Sequence, residues 1–177
     1  MTGTSMLSRI IPDTALTIGY LLGFLLCSGL LGAAYYFEYQ LYLDPCPLCI
    51  VQRILTLVIG LFCLFAFFLR RSVWPLRISM VGVLLTSLAG IWVTNHHIWI
   101  QGLPPEEVPE CGPGLAYMID TLSVNELLTA LLKGDGSCAE ISWTFMSLSM
   151  PQWMLLVFSG FLMVSMLGIL RTWKHKS

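Results

Sequence analysis

The sequence predicts an all-α integral membrane protein: a four-helix transmembrane bundle with a short amphipathic interfacial helix in one long outer loop. Three observations predict it. Hydrophobic residues make up 56% of the chain and charged residues only 11%, whereas about a quarter of a soluble domain is charged. Four stretches stay apolar over the roughly 20 residues that a helix needs to cross about 30 Å of hydrocarbon. The charges that separate them alternate in sign from one connection to the next.

In order, the spans are expected at about 15–37, 48–69, 73–95 and 152–170 of a single domain covering 1–177, with outer connections at about 38–47 and 96–151. Arg9 precedes the first span, Arg70, Arg71 and Arg77 surround the join between the second and third, and Arg171, Lys174 and Lys176 follow the fourth. Cytoplasmic segments are the ones that retain Lys and Arg, so both termini are expected inside. Glu38 and Asp44, and then Glu106, Glu107, Glu110, Asp120, Glu126, Asp135 and Glu140 against a lone Lys133, are expected outside. The formal net charge of −1 says nothing by itself about nucleic acid, and no such partner is expected. The first span is longer than the core of a secretory signal and runs into Tyr35-Tyr36-Phe37 rather than a small-residue cleavage site, so it is expected to be retained. Tyr35, Tyr36, Tyr39, Tyr42, Trp74 and Trp153 fall at span ends, where an apolar ring with a polar tip suits the headgroup zone.

Depth sorts the six cysteines. Cys27 and Cys63 lie within spans, where a thiol behaves as a small hydrophobe with little thiolate to react. Cys46, Cys49, Cys111 and Cys138 lie on the outer side, where an oxidising compartment lets disulfides persist. Structural staples would explain them, but Cys46-x-x-Cys49 closes too small a ring to give much entropic stabilisation. The pair also stands at the N-terminus of the second span, which favours thiolate. A Cys₄ zinc site is a competing reading; zinc ribbons pair two Cys-x-x-Cys units, whereas Cys111 and Cys138 are 27 positions apart, and no metal is expected.

Arg53 follows Cys49 by one helical turn, on the same face and about 6 Å further along the axis. A charge inside the apolar zone costs about 2.5–3.5 kcal/mol at mid-span, less if the side chain snorkels outward. Its expected work is to favour the Cys49 thiolate and to offer donors to an oxygen that gains charge in a reaction. The chain has neither a G-x-G-x-x-G dinucleotide turn nor a C-x-x-C-H haem motif. A lipid-soluble two-electron acceptor, quinone, therefore fits the location. His96 and His97, at the outer end of the third span, are read either as polar anchors or as donors to a second quinone oxygen.

The long outer loop exceeds what a passive connection needs. Val124, Leu127, Leu128, Leu131 and Leu132 recur at helical spacing, Ser123 and Glu126 form a capping-box pattern, and Gly134 stands where a helix stops. This helix is expected to lie on the membrane surface with its apolar face down. It would tether "ECGPG" and "GDGSC", whose glycines and proline allow movement. Cys111 and Cys138 are then placed either to pass electrons from a soluble partner to Cys46 and Cys49, or to clip the loop statically.

These parts together resemble the DsbB family of bacterial disulfide-bond oxidoreductases. "PCPLCIVQR" opens the second span, "HHIWIQ" closes the third, and "GSCAEISWTF" with "MPQW" leads into the fourth. The resemblance covers nearly the whole chain. It implies a bacterial inner-membrane enzyme that re-oxidises a periplasmic DsbA-like thioredoxin-fold protein and reduces quinone, foremost ubiquinone and otherwise menaquinone. Cys111 would form the mixed disulfide with the partner, Cys138 would exchange with Cys46, and Cys49 would face the quinone. Arg53 and His97 match the family's quinone-site positions, and His96 is assigned no role. A partner near about −120 mV demands an acceptor of higher potential, which ubiquinone satisfies. Two other readings compete: a quinone enzyme of the vitamin K epoxide reductase type, in which the Cys-x-x-Cys lies late rather than at the second span, and a non-enzymatic four-span scaffold with a stapled loop.

Overall fold

The computed structural model describes residues 13–69, 73–112 and 115–174. Its elements are α1 (Asp13–Leu41), α2 (Pro47–Phe68), α3 (Val73–Gln101), α4 (Leu115–Thr121), α5 (Val124–Lys133), a 3₁₀ turn (Gly136–Ala139), a hairpin of β1 (Thr144–Phe145) and β2 (Leu148–Ser149), and α6 (Met150–Lys174). The portions Ile18–Leu41, Pro47–Phe68, Trp74–Gln101 and Met150–Leu170 are long and apolar enough to cross a membrane, each with a mean hydropathy of at least 1.7. The chain is a four-span, multi-pass bundle. Arg9, Arg70, Arg71 and Lys176 lie outside the described residues.

Two span ends differ from expectation. α3 runs on from the expected stop near Asn95 to Gln101, because "HHIWIQ" contains no helix breaker before Gly102 and Pro104. His96 and His97 are therefore helical residues with fixed directions. α1 likewise continues to Leu41 and stops where Tyr42 adopts a left-handed backbone, φ 53°. The outer connections shrink to 42–46 and 102–149.

Small residues let the helices approach, as bundles in lipid require. A Cβ on Gly60 would stand 3.1 Å from the Cys27 Cβ, and one on Gly23 would stand 3.0 Å from the Cys63 sulfur, so α1 and α2 meet through glycine and thiol. The rings of Phe62 and Phe158 lie flat against Gly82 and Gly90, where a methyl group would come within 2.6 Å of a ring carbon. Cys27 and Cys63 are buried in this core with Ile59, Val83 and Phe158, in keeping with their reading as apolar fillers. Tyr35, Tyr36, Tyr39, Tyr42 and Trp74 are exposed, as anchors would be.

α5 forms as its sequence predicts. The Ser123 N–H donates to the Glu126 carboxylate at 3.0 Å, and Gly134 ends the helix at φ 73°. That hydrogen bonding holds the Glu126 carboxyl below the usual carboxylate range. Only part of its apolar face is free. Leu131 is buried and Leu132 packs beside Leu48, Val93, Ile100 and Cys138, while Val124 and Leu128 stay exposed. The helix is thus docked on the bundle at its C-terminal end, which carries the following 3₁₀ turn inward.

Candidate functional site

The site starts from how α2 begins. Pro47 takes the first helical position, where a missing N–H costs nothing, and Cys46 is the N-cap. Its Sγ accepts the Cys49 N–H at 3.3 Å and lies 2.9 Å from the Cys49 Sγ, both cysteines being free thiols. The "CPLC" spacing therefore puts two sulfurs against the positive end of one helix, as expected from the sequence.

From the loop, the 3₁₀ turn brings in a third sulfur. Asp135 caps the turn by accepting the Ser137 N–H at 3.0 Å, and Cys138 is fully buried beside Cys46. The Cys46 and Cys138 side chains are hydrogen-bond partners, and this contact holds the Cys138 thiol down at about 7. The same bond, the contact with Cys49 and burial push the Cys46 thiol up. Cys46 is thus the sulfur that holds its proton, and Cys138 is the one that ionises more readily.

Cys111 is exposed, unlike its loop partner. Its segment runs alongside the 3₁₀ turn: the Gly112 N–H donates to Asp135 Oδ2 at 3.3 Å, and the Gly136 N–H donates to the Glu110 carbonyl at 3.4 Å. Gly136 is required there, because a Cβ would meet the Pro109 carbonyl oxygen at 2.5 Å and the Cys111 sulfur at 3.1 Å. A surface thiol is in this way held next to the turn that bears the buried one.

The two histidines divide. His97 is buried; its Nε2 is 3.7 Å from the Cys46 Sγ and its Nδ1 is 3.4 Å from the Gln52 side-chain amide nitrogen. His96 faces the other way. Its ring is stacked between Trp92 and Trp99, and its Nε2 is 3.0 Å from the Lys133 carbonyl at the end of α5. His96 is thus a clip that fixes α5, and His97 is the histidine of the site.

Arg53 points at α1. Its guanidinium pairs with the Glu38 carboxylate, donates to the Ala34 carbonyl at 3.2 Å, and lies 5.5 Å from the centroid of the Tyr35 ring. The arginine is therefore neither unpartnered nor free to snorkel. Glu38, read from the sequence only as an outer-loop acid, sits on the extended end of α1 and is its counter-ion.

α1, α2, α3, α6, the 3₁₀ turn and the hairpin border one cavity of about 480 Å³. Leu30, Phe37, Met154 and Val157 supply apolar wall, and Cys46, Cys49, Arg53 and His97 supply polar points. The hairpin closes one side. Trp143 packs on Phe37 and Phe145, and Trp153 donates from Nε1 to the Phe145 carbonyl at 3.1 Å. Trp153 thus serves the cavity rather than acting only as an anchor. The structure brings Cys46, Cys49, Cys138, Arg53 and His97 together and leaves Cys111 at the surface. Gln52 and Glu38 are the residues that sequence reading missed. Gln52 had a signal, since it stands three positions after Cys49 on the same helix face.

These features define a class: a multi-pass membrane protein with a pair of thiols at an apolar cavity, a third sulfur behind them and an arginine alongside. Comparison with known proteins narrows the class. The profile described as "Disulfide bond formation protein DsbB" matches residues 17–168, and the chain belongs to the DsbB family. Disulfide bond formation protein B of Methylococcus capsulatus is 45% identical over 141 residues, 80% of this chain and 86% of that protein. The protein of the same name from Nitrosococcus oceani is 37% identical over 155 residues, 88% of each chain. Disulfide bond formation protein B 1 of Pseudomonas aeruginosa is 39% identical over 152 residues, 86% of this chain and 93% of the other. Membership decides against the vitamin K epoxide reductase type and the non-enzymatic scaffold.

Proposed function

We propose that the chain is a disulfide-generating oxidoreductase of the bacterial inner membrane that takes electron pairs from a periplasmic DsbA-like dithiol protein and delivers them to membrane quinone, ubiquinone foremost and menaquinone second. The observation that carries this reading is the position of Cys46, in contact with Cys49 at the cavity on one side and with Cys138 from the loop on the other. A partner thiolate attacks Cys111 of a Cys111–Cys138 disulfide, and Cys138 leaves as thiolate. The partner's second thiol then attacks the mixed disulfide; the partner departs oxidised and Cys111 is left reduced. Cys138 next attacks Cys46 of a Cys46–Cys49 disulfide, expelling the Cys49 thiolate beside the cavity. Cys111 closes on Cys138, and the electron pair has moved to Cys46 and Cys49 with no net change in the loop.

The cavity fits a quinone headgroup. Its volume lies in the range of about 300–1,000 Å³ common to small-molecule sites, and its wall is mostly apolar with few polar points. Glu38 and Ala34 occupy two guanidinium bonds of Arg53, which leaves donors of the five-membered N–H fork for a carbonyl oxygen. When bound, quinone supplies acceptance of two electrons and two protons. The chain's own part is to hold Cys49 at the cavity, to orient Arg53 through Glu38, and to keep the His97 Nε2 where it exchanges a proton with Cys46. The test is quinone absorbance in micelles containing the chain and a reduced DsbA-like protein. Absorbance falls with the wild type and holds steady with Cys46→Ser or Cys49→Ser; oxidation of the partner with quinone left unreduced would overturn the proposal.

A further inference from the structure

Cys46, Cys138 and His97 offer two sulfurs and one ring nitrogen that all lie within 4.8 Å of one another, and all three residues are buried. We infer that the fully reduced chain binds one soft divalent cation of the zinc class at these three side chains, and that the bound ion arrests thiol exchange. The binding stands on geometry alone. The arrest rests on the exchange route proposed above.

Zinc bonds of about 2.3 Å to sulfur and about 2.0–2.1 Å to nitrogen at a tetrahedral angle put ligand atoms about 3.5–3.8 Å apart. The His97 Nε2 already lies 3.7 Å from the Cys46 Sγ. The remaining separations, none above 4.8 Å, need to close by no more than about 1.3 Å to reach that geometry. Donor type selects the ion: thiolate and imidazole favour zinc and its softer relatives over magnesium or calcium. Charge favours it too. Two thiols lose their protons, the imidazole stays neutral, and a dipositive ion completes an electrically neutral centre, which the apolar surroundings tolerate far better than bare thiolates. No electron moves; one ion enters, and the protons that the two thiols still hold leave.

Neighbouring groups support the arrangement. The Gln52 amide stands 3.4 Å from the His97 Nδ1. Turned to present its oxygen, it accepts the Nδ1 proton and leaves the Nε2 lone pair toward Cys46, the outer hydrogen bond that metal-bound histidines usually have. Cys49, with its Sγ 2.9 Å from that of Cys46, is the fourth donor at hand. Cys111 is exposed and takes no part, so the site differs from an all-cysteine set drawn from the four outer thiols. Once Cys46 or Cys138 enters a disulfide its thiolate is gone, and the ion must leave.

The experiment uses the full chain in micelles, reduced without oxygen and freed of reductant. Zinc is titrated against a chromophoric chelator, and cobalt serves as a spectroscopic probe through its thiolate charge-transfer band. One ion per reduced chain, about two protons released below pH 7 where both thiols start protonated and fewer above it, and no ion on the chain after thiol oxidation are the expected results. The oxidised chain needs no mutation and so serves as the control for folding. His97→Ala and Cys138→Ser each weaken binding about tenfold or more, at least the loss typical of an outer-sphere partner, while Cys27→Ser with Cys63→Ser leaves it unchanged. Failure of the reduced chain to compete with the chelator, equal binding by the oxidised chain, or unchanged binding in both ligand variants would overturn the site. Zinc is also expected to slow electron delivery from the reduced chain to quinone at least tenfold, with recovery on adding chelator. Binding with undiminished delivery would overturn the arrest, and absence of delivery in the metal-free chain would overturn the proposed function instead.

Discussion

Glu38 is expected to act through Arg53, and a double-mutant cycle reads that coupling directly. Glu38→Gln keeps the shape of the side chain and removes its charge. The Arg53 guanidinium stays charged and still donates to the Gln oxygen, so the substitution removes only the charge–charge attraction of the pair, on the order of 1–4 kcal/mol at about 4 Å between bulk-water and protein-surface screening. Exposure of 21% and 23% at the two side chains admits some screening, which trims the loss to about 1 kcal/mol, or roughly fivefold in a rate that depends on the guanidinium. The assay measures quinone reduction at saturating donor for the wild type, Glu38→Gln, Arg53→Met and the double variant, with thermal unfolding in detergent alongside. Arg53→Met is expected to fold and to reduce quinone more slowly than Glu38→Gln. The double variant is expected to be no slower than Arg53→Met, because the carboxylate has lost the group it orients. If the two effects instead add to within about 0.3–0.5 kcal/mol, as independent sites do, Glu38 does not work through Arg53.

Cys111→Ala is expected to abolish the covalent adduct with a DsbA-like partner on a non-reducing gel; persistence of the adduct would move the docking thiol elsewhere. Gly136→Ala forces a methyl group against the Pro109 carbonyl and the Cys111 sulfur, at a cost of about 1–3 kcal/mol. Exchange between Cys111 and Cys138 should slow while the helical content of the bundle is unchanged, and an unaltered exchange rate would contradict the close packing. In the reduced chain carrying Cys49→Ser, ultraviolet thiolate absorbance should show the Cys138 thiol titrating near 7, and adding Cys46→Ala should return it upward toward the ordinary 9.0. Because folding depresses that value, ionisation of Cys138 stabilises the reduced fold fully above about pH 9, and the increment is lost as pH falls through about 7. Denaturant midpoints that do not change over that window would remove the Cys46 contact as the cause.

Much of this architecture was legible in the residues. The spans follow from apolar run length, which the bilayer imposes, and α5 follows from helical spacing, a capping box and a terminal glycine. The cavity edge followed from Cys-x-x-Cys and an arginine one turn later, since side chains four apart on a helix share a face. Three features were not legible, each for a physical reason. The ends of α1 and α3 depend on tertiary packing once no breaker intervenes, so Glu38 could not be read as helical and the direction of His97 could not be assigned. The hairpin turns through Met146 and Ser147, both with left-handed backbones at φ 51° and 64°, where a turn signal would be Asn-Gly or Asp-Gly. The divergence of His96 and His97 follows from the roughly 100° turn between neighbouring helical residues, but only after both residues are known to be helical.

The central claim is that the outer four cysteines form one connected relay that empties into quinone, while Cys27 and Cys63 stay inert. The most direct measurement mixes the fully reduced chain, without partner protein and without oxygen, with excess ubiquinone, and counts quinone lost against thiols lost. About two equivalents of quinone should be reduced per chain as the four outer thiols pair into two disulfides, each pairing releasing two electrons, with two of the six thiols remaining. Quinone left oxidised, or thiol loss that includes Cys27 and Cys63, would contradict it.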